Sequence, residues 1–218
     1  MHKVGFIFDL DGVIVDTAKY HYLAWKNLAN ELGFEFTKEQ NELFKGVSRK
    51  KSLEILLELG NIEATQEQFD TWMVEKNVDY LAYIEKMDES EILPDDPKVL
   101  EFLKSYNIPI SLGSASKNAR PILEKVNLLS YFDAIVDGNS VSKAKPDPEV
   151  FLIAAQNLGV KPENCIVFED AVAGIQAANA ANMVSIGIGD KKVLHEADFV
   201  FTDFTKIDMD FLKELAKI

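Results

Sequence analysis

A single cysteine in 218 residues excludes an intrachain disulfide, so the fold has to be held by its core alone. Cys165 lies in the apolar run Cys165–Phe168 and reads as a quiet core thiol, which fits a reducing cytoplasm. Long hydrophobic runs are missing as well. No apolar stretch approaches the roughly 18 to 20 residues of a membrane span, and the short run Val4–Phe8 is halted by Asp9. This predicts a cytoplasmic chain with neither anchor nor secretion signal. Positive charge is in short supply: 23 Lys and Arg stand against 36 Asp and Glu, a formal net charge of −13. That balance excludes nucleic acid or an anionic membrane as partner, both of which are gripped by clustered Lys and Arg. It also predicts a monomer, and it requires any anionic substrate to be drawn by a local cluster of cations.

What the chain does have is apolar residues enough for a large core, 47% of the total, and a length that suits one large domain or a core with an insert. Apolar runs of strand character fall at Val4–Phe8, Ile108–Leu112, Ala134–Val136, Cys165–Phe168, Val184–Ile188 and Phe199–Phe201, with helical patterns between most of them. Such alternation predicts an α/β fold, a parallel sheet with helices on both faces. Asp96-Pro97 and Asp147-Pro148 each supply an N-cap and a first-turn proline for a helix.

One stretch breaks the alternation. From about Asp16 to Met87 the pattern is helical only, too long for an ordinary crossover. It predicts a helical domain at 16–87 inserted into a core made of 1–15 and 88–218. Its first helix places His21, Trp25, Leu28 and Leu32 on one face and ends at Gly33. A second runs from about Ser48 to Gly60, and a third carries Phe69, Trp72, Met73, Lys76, Tyr80 and Ile84 along a stripe. Trp25, Phe69 and Trp72 are expected to pack the insert.

In an open parallel sheet, ligands bind beyond the carboxyl ends of the strands. The first strand there delivers Asp9 and Asp11, the second Gly113 and Ser114, and the fourth Glu169 and Asp170. Carboxylates abutting buried strands need partners, and a hard cation such as Mg²⁺ suits them. Asp9, Asp170 and Glu169 supply carboxylates, with a backbone carbonyl at Asp11. The competing reading of Asp170 is an N-cap for the helix that follows. The competing reading of Asp-Leu-Asp-Gly is a turn made possible by Gly12. A carboxylate needs no neighbouring base to attack phosphorus, so Asp9 can be metal ligand and nucleophile together. Asp11, two residues on, can reach the entering or leaving oxygen if a raised pKa lets it hold a proton. Ser114 and Lys145 are candidates to surround the oxygens of a phosphoryl group in flight.

Asp9 to Thr17, Gly113 to Ser116, Lys145-Pro146 and Phe168 to Gly174 resemble, in order, the four motifs of the haloacid dehalogenase superfamily, across nearly the whole chain. The resemblance implies a Rossmann-like core, an α-helical cap inserted after the first strand, Mg²⁺ held by Asp9, Asp11, Glu169 and Asp170, Asp9 as nucleophile and Asp11 as general acid/base. Within that superfamily, Thr17 to Trp25, Lys45 to Arg49, Glu75 to Asn77 and Ser114 to Asn118 resemble the β-phosphoglucomutase family. That likeness implies interconversion of β-glucose 1-phosphate and glucose 6-phosphate, with glucose 1,6-bisphosphate as intermediate and priming donor. It also implies that Arg49, Ser116, Lys117 and Asn118 hold the phosphate remote from the reacting one, and that His21 and Lys76 orient the sugar and Asp11. Thr17, Trp25, Lys45, Gly46, Val47, Ser48 and Ala115 come with them as substrate-binding positions.

From pattern alone His21, on an apolar stripe, reads more readily as a packed core residue than as a ligand. Arg49 at a helix start opposes the macrodipole, which disfavours a purely stabilising role. The chain departs from its relatives at Asp95, where glycine often follows the proline, and at the residues flanking Lys145. A phosphatase on the same scaffold and a noncatalytic phosphosugar-binding protein are the rival readings.

Overall fold

The computed structural model describes residues 4–218, so residues 1–3 of the 1–15 segment lie outside the described residues. Strand β1 (Gly5–Phe8) leads into helices α1 (Ala18–Glu31), α2 (Lys38–Asn41), α3 (Arg49–Leu59) and α4 (Gln66–Ile84) before the chain returns through α5 (Asp96–Ser105). It then runs β2 (Ile110–Gly113), α6 (Ala119–Lys125), β3 (Ala134–Val136), α7 (Glu149–Leu158), β4 (Cys165–Glu169), α8 (Val172–Ala180), β5 (Val184–Ile188), β6 (Phe199–Phe201) and α9 (Met209–Ala216). All strand pairs are parallel, in the order β3-β2-β1-β4-β5-β6. The order reverses beside β1, with β2 and β3 built outward on one side and β4 to β6 on the other. A crevice therefore opens at the carboxyl ends of β1 and β4.

Side chains alternate across the sheet as a period of two demands. Phe6, Phe8, Ile110, Leu112 and Phe168 pack on one face with Val99, Leu103, Ile122 and Leu212. Ile7, Val136 and Val167 pack on the other with Phe151, Ala154, Ala155 and Ala178. Phe8 and Phe168 stack with ring centroids 4.8 Å apart, directly beneath the strand ends that carry Asp9 and Glu169. Cys165 is fully buried in β4, and burial pushes its thiol up to about 11, so it is inert at neutral pH.

The helical insert has a cluster of its own, in which Trp25, Leu28, Phe36, Phe44, Leu53 and Leu56 are buried and Phe69 and Trp72 lie against them. Its two connections to the sheet are paired with each other: Asp16 N–H donates to Glu91 O at 2.9 Å and Leu93 N–H to Ile14 O at 3.0 Å. Helix α2 escapes the apolar pattern because it is one turn long, yet the sequence does carry its capping box, Thr37 with Gln40 three residues on.

Three local readings differ from the structure. Pairing in β2 starts at Ile110 rather than Ile108, because Pro109 has no N–H to offer the ladder. At α7 the N-cap position falls to Pro148, and Asp147 instead accepts from Glu149 N–H at 3.0 Å. At α5 the N-cap is Asp95, in the left-handed region with φ 63°, where a glycine would sit without strain. Asp96 thereby becomes the first helical residue, wholly buried, and neither carboxyl oxygen has a hydrogen-bond partner among the described residues.

Burial holds the Asp96 carboxyl well above its ordinary value of 3.8. The fold therefore favours the acid form. Stability from this group is intact below the ordinary value and is lost as pH rises toward the folded one. Asp96→Val is expected to stabilise the protein by about 1–3 kcal/mol at pH 8 and by much less at pH 4.5. Urea unfolding of both proteins at the two pH values reads this; an equal gain at both would mean that the charge is not the cause.

Candidate active site

Asp9 leaves the end of β1 with its N–H donated to Phe168 O of β4 at 3.0 Å, so the two strand ends place their acids side by side. Oxygens of Asp9, Glu169 and Asp170 lie within 4.8 Å of one another. Lys145, almost wholly buried, donates to Asp9 Oδ1 at 2.8 Å and to Glu169 Oε2 at 2.7 Å. Burial alone would lower the Lys145 pKa, but the two carboxylates raise it instead, and it stays charged. Glu169 is pushed up to about 7, chiefly by burial. Asp170 is raised well above the usual range by burial and by the neighbouring Glu169 and Asp9 carboxylates.

One ammonium among three acids leaves negative charge that a divalent cation would balance. The donor set of carboxylate oxygens matches what Mg²⁺ accepts. Glu169 already uses both oxygens, one on Lys145 and the other accepting from Ala171 N–H at 3.1 Å. The two carboxylates left to face an ion directly are Asp9 and Asp170, with Glu169 behind them. The capping alternative for Asp170 does not hold: Ala171 takes the N-cap position of α8, with no side-chain cap. Gly12 supports the arrangement, having φ +80°, and a Cβ there would sit 2.3 Å from Asp170 Oδ2.

Asp11 lines the same cavity as Asp9, with its carboxyl pushed up to about 6, first by burial and then by the Asp9 charge. Thr17, at the start of α1, gives its hydroxyl to Asp11 Oδ1, and so makes no cap bond for its own helix. His21 Nε2 stands 3.9 Å from the same oxygen. The other ring nitrogen, Nδ1, is 2.9 Å from Lys76 Nζ. Burial lowers both the His21 and Lys76 pKa values, and each feels Arg49 nearby. A neutral imidazole accepting from Lys76 at Nδ1 must carry its proton on Nε2, toward Asp11. Lys76 is flanked by the rings of Trp25 at 4.7 Å and Tyr80 at 4.6 Å, and His21 stacks on Tyr80 at 4.1 Å. The packed and the functional readings of His21 are thus compatible.

A cavity of about 330 Å³ is lined by Asp9, Asp11 and Asp170 together with the cations Lys45, Arg49, Lys76, Lys117 and Lys145. Lys45, Gly46, Val47, Ser48 and Arg49 line it from the insert, together with His21, Trp25 and Lys76; Ser114, Ala115, Ser116, Lys117, Asn118 and Lys145 line it from the sheet. Ser48 caps α3, its Oγ accepting from Lys51 N–H at 3.3 Å, which leaves Arg49 as the first helical residue. Gly46 has φ +71°, and a Cβ there would come within 2.7 Å of Ala171 Cβ; the loop presses on the turn beyond Asp170. Lys45 Nζ lies 2.9 Å from Glu42 and 4.0 Å from Asp170. After β2, the Ser114 hydroxyl accepts from Ser116 N–H at 3.1 Å, and the Ser116 hydroxyl from Asn118 N–H at 3.2 Å. This local winding turns the loop into the cavity.

Residues 4–182 match the haloacid dehalogenase-like hydrolase family. The chain belongs to that family. It is 42% identical to the β-phosphoglucomutase of Bacillus subtilis, over 95% of this chain and 93% of the relative. It is 33% identical to a phosphorylated carbohydrates phosphatase of Thermotoga maritima, over 96% and 98% of the two chains. A crystal structure of β-phosphoglucomutase from Clostridium difficile superposes with TM-score 0.94 at 41% identity, covering 99% of this chain and 97% of that one. No helix among the described residues is long and apolar enough to cross a membrane.

One expected substrate-binding residue is placed differently by the geometry: Thr17 faces Asp11 rather than the cavity. Glu169 stands in the acid cluster with Asp9 and Asp170, one of its oxygens on Lys145. Sequence reasoning passed over Ser52, Met73 and the loop Val141 to Ala144, which also line the cavity. Ser52 and Met73 were within reach, since each lies three residues from a singled-out position on the same helix, Arg49 and Lys76. The 141–144 loop carries no periodic signal.

Proposed function

We propose that this chain is a Mg²⁺-dependent β-phosphoglucomutase that interconverts β-glucose 1-phosphate and glucose 6-phosphate through a phosphorylated Asp9 and a 1,6-bisphosphate intermediate. The observation that carries this reading is that one cavity is lined both by the acid pair Asp9 and Asp11 and by a second set of anion-binding groups, Arg49, Ser116, Lys117 and Asn118, besides the Lys145 already paired with Asp9. A phosphatase releases its product after one transfer, whereas a mutase must grip a sugar that bears two phosphates and let it turn around. The B. subtilis and C. difficile relatives favour the same reading, and the T. maritima phosphatase marks its rival.

In the proposed cycle a hydroxyl of the sugar monophosphate attacks phosphorylated Asp9 while Asp11 takes its proton. The P–O bond to Asp9 breaks and the bisphosphate forms. After the bisphosphate turns over, Asp9 attacks the other phosphorus, and Asp11 returns its proton to the departing sugar oxygen. Lys145 and Ser114 neutralise and orient the phosphoryl oxygens. Asp9 and Asp170, backed by Glu169 and the Asp11 carbonyl, would hold Mg²⁺, whose chemistry is to draw charge from those same oxygens. Glucose 1,6-bisphosphate primes the free enzyme. We further take 16–87 as a cap on a core of 1–15 and 88–218, closing about the paired connections near Asp16 and Glu91 so that water is kept from the phosphorylated aspartate. The enzyme is read as a cytoplasmic monomer.

The test is a coupled assay of glucose 6-phosphate from β-glucose 1-phosphate with Mg²⁺ and a trace of the bisphosphate, with free phosphate followed in parallel. Isomerisation without stoichiometric phosphate release is expected. Arg49→Ala should lower it about 10- to 100-fold, the worth of a charged hydrogen bond to phosphate. Phosphate release without isomerisation would move the assignment to a phosphatase.

A further inference from the structure

Helix α4 sends two adjacent side chains to two different groups of cavity-lining residues, His21 and Asn118. Lys76 reaches His21 and, through it, Asp11. Asn77 reaches the loop after β2, where its Oδ1 accepts a hydrogen bond from Asn118 Nδ2 at 3.0 Å. Successive residues on a helix diverge by about 100°, so one rigid rod can serve both places at once. Asn118 lines the cavity, and its backbone N–H is already taken by the Ser116 hydroxyl. Its side-chain amide is therefore what it can offer an anion. An amide group is planar and has two N–H donors. Pinning one of them on the insert fixes the plane and leaves the other donor in a set direction. The orientation also matters: with Asn77 as acceptor, Asn118 presents N–H to the cavity, whereas the flipped amide would present an oxygen that repels phosphate.

We propose that Asn77 is a positioning residue that completes the remote-phosphate clamp through Asn118 when the insert sits against the sheet, so that α4 ties grip on the far phosphate to the placement of Asp11. The inference rests on the mutase reading above. It adds a second tie to the insert, which already gives the clamp Arg49, and a bisphosphate held by it favours the same closed arrangement that Thr17, His21 and Lys76 require.

The experiment is a double-mutant cycle with Asn77→Ala, Asn118→Ala and the pair, reading kcat and KM for isomerisation alongside the ratio of phosphate released to isomer formed. Alanine is a better helix former than asparagine, so α4 itself is not put at risk. Asn77→Ala is expected to raise KM about three- to tenfold, with a smaller change in kcat and a higher release ratio. The double mutant should be no worse than Asn118→Ala alone, because Asn77 acts through Asn118. An unchanged KM, or effects that multiply in the double mutant, overturns the proposal. Should the wild type release phosphate without isomerising, the mutase reading fails on its own, and the same cycle read on release from the hexose bisphosphate still decides whether Asn77 acts through Asn118.

Discussion

Asp9→Asn is expected to abolish both isomerisation and phosphate release, by on the order of 10⁴-fold or more, as loss of a covalent nucleophile does elsewhere. The substitution is nearly isosteric, so the strand end and its N–H bond to Phe168 survive. What changes is that a neutral amide cannot form the acyl phosphate. Lys145 keeps Glu169 as its anion, so the buried ammonium is not left unpaired, and a folded protein is expected by circular dichroism. Incubation with labelled glucose 1,6-bisphosphate should mark the wild type on Asp9 and leave the variant unmarked, while equilibrium binding of the bisphosphate persists. Retention of turnover within tenfold, or label appearing elsewhere in the variant, would remove Asp9 from the role. A wild type that binds the sugar phosphates but never becomes labelled would favour the binding-protein reading over either enzyme.

The sequence made the sheet legible because each strand is a short apolar run closed by glycine or a polar residue, and a buried parallel strand has little other way to look. The chemistry was legible for the same reason: Asp9, Ser114 and Glu169-Asp170 stand where those runs stop. Interactions across large separations were not readable. The ion pairs of Lys145 with Asp9 and Glu169 span 136 and 24 residues, and no local pattern says which acids an ammonium will meet. Local preference also misled where tertiary contacts prevailed. Asp96 has the identity of a cap and is instead buried one position inside the helix. Asp95, in the left-handed region, takes the cap position in its place.

Asp11→Asn should separate proton transfer from phosphoryl transfer. Burial and the Asp9 charge raise the Asp11 carboxyl to about 6, so near neutral pH both its forms are populated, as an acid that must later act as a base requires. Phosphorylation of Asp9 by a sugar phosphate needs the acid form and is expected to slow as pH rises through about 6. Transfer from phosphorylated Asp9 to a sugar hydroxyl needs the base form and should slow as pH falls through the same value. Rapid-quench measurements of each half-reaction would show these opposed limbs. An asparagine keeps the hydrogen bond from Thr17 but can neither give nor take the proton, so both limbs should vanish, with sugar turnover down by roughly 10² to 10⁴. Labelling of Asp9 by acetyl phosphate should fall far less, because that leaving group departs without a proton. Equal losses with the sugar and with acetyl phosphate would mean that Asp11 shapes the site rather than moving the proton, and the Thr17, His21 and Lys76 contacts would then hold a structural carboxyl.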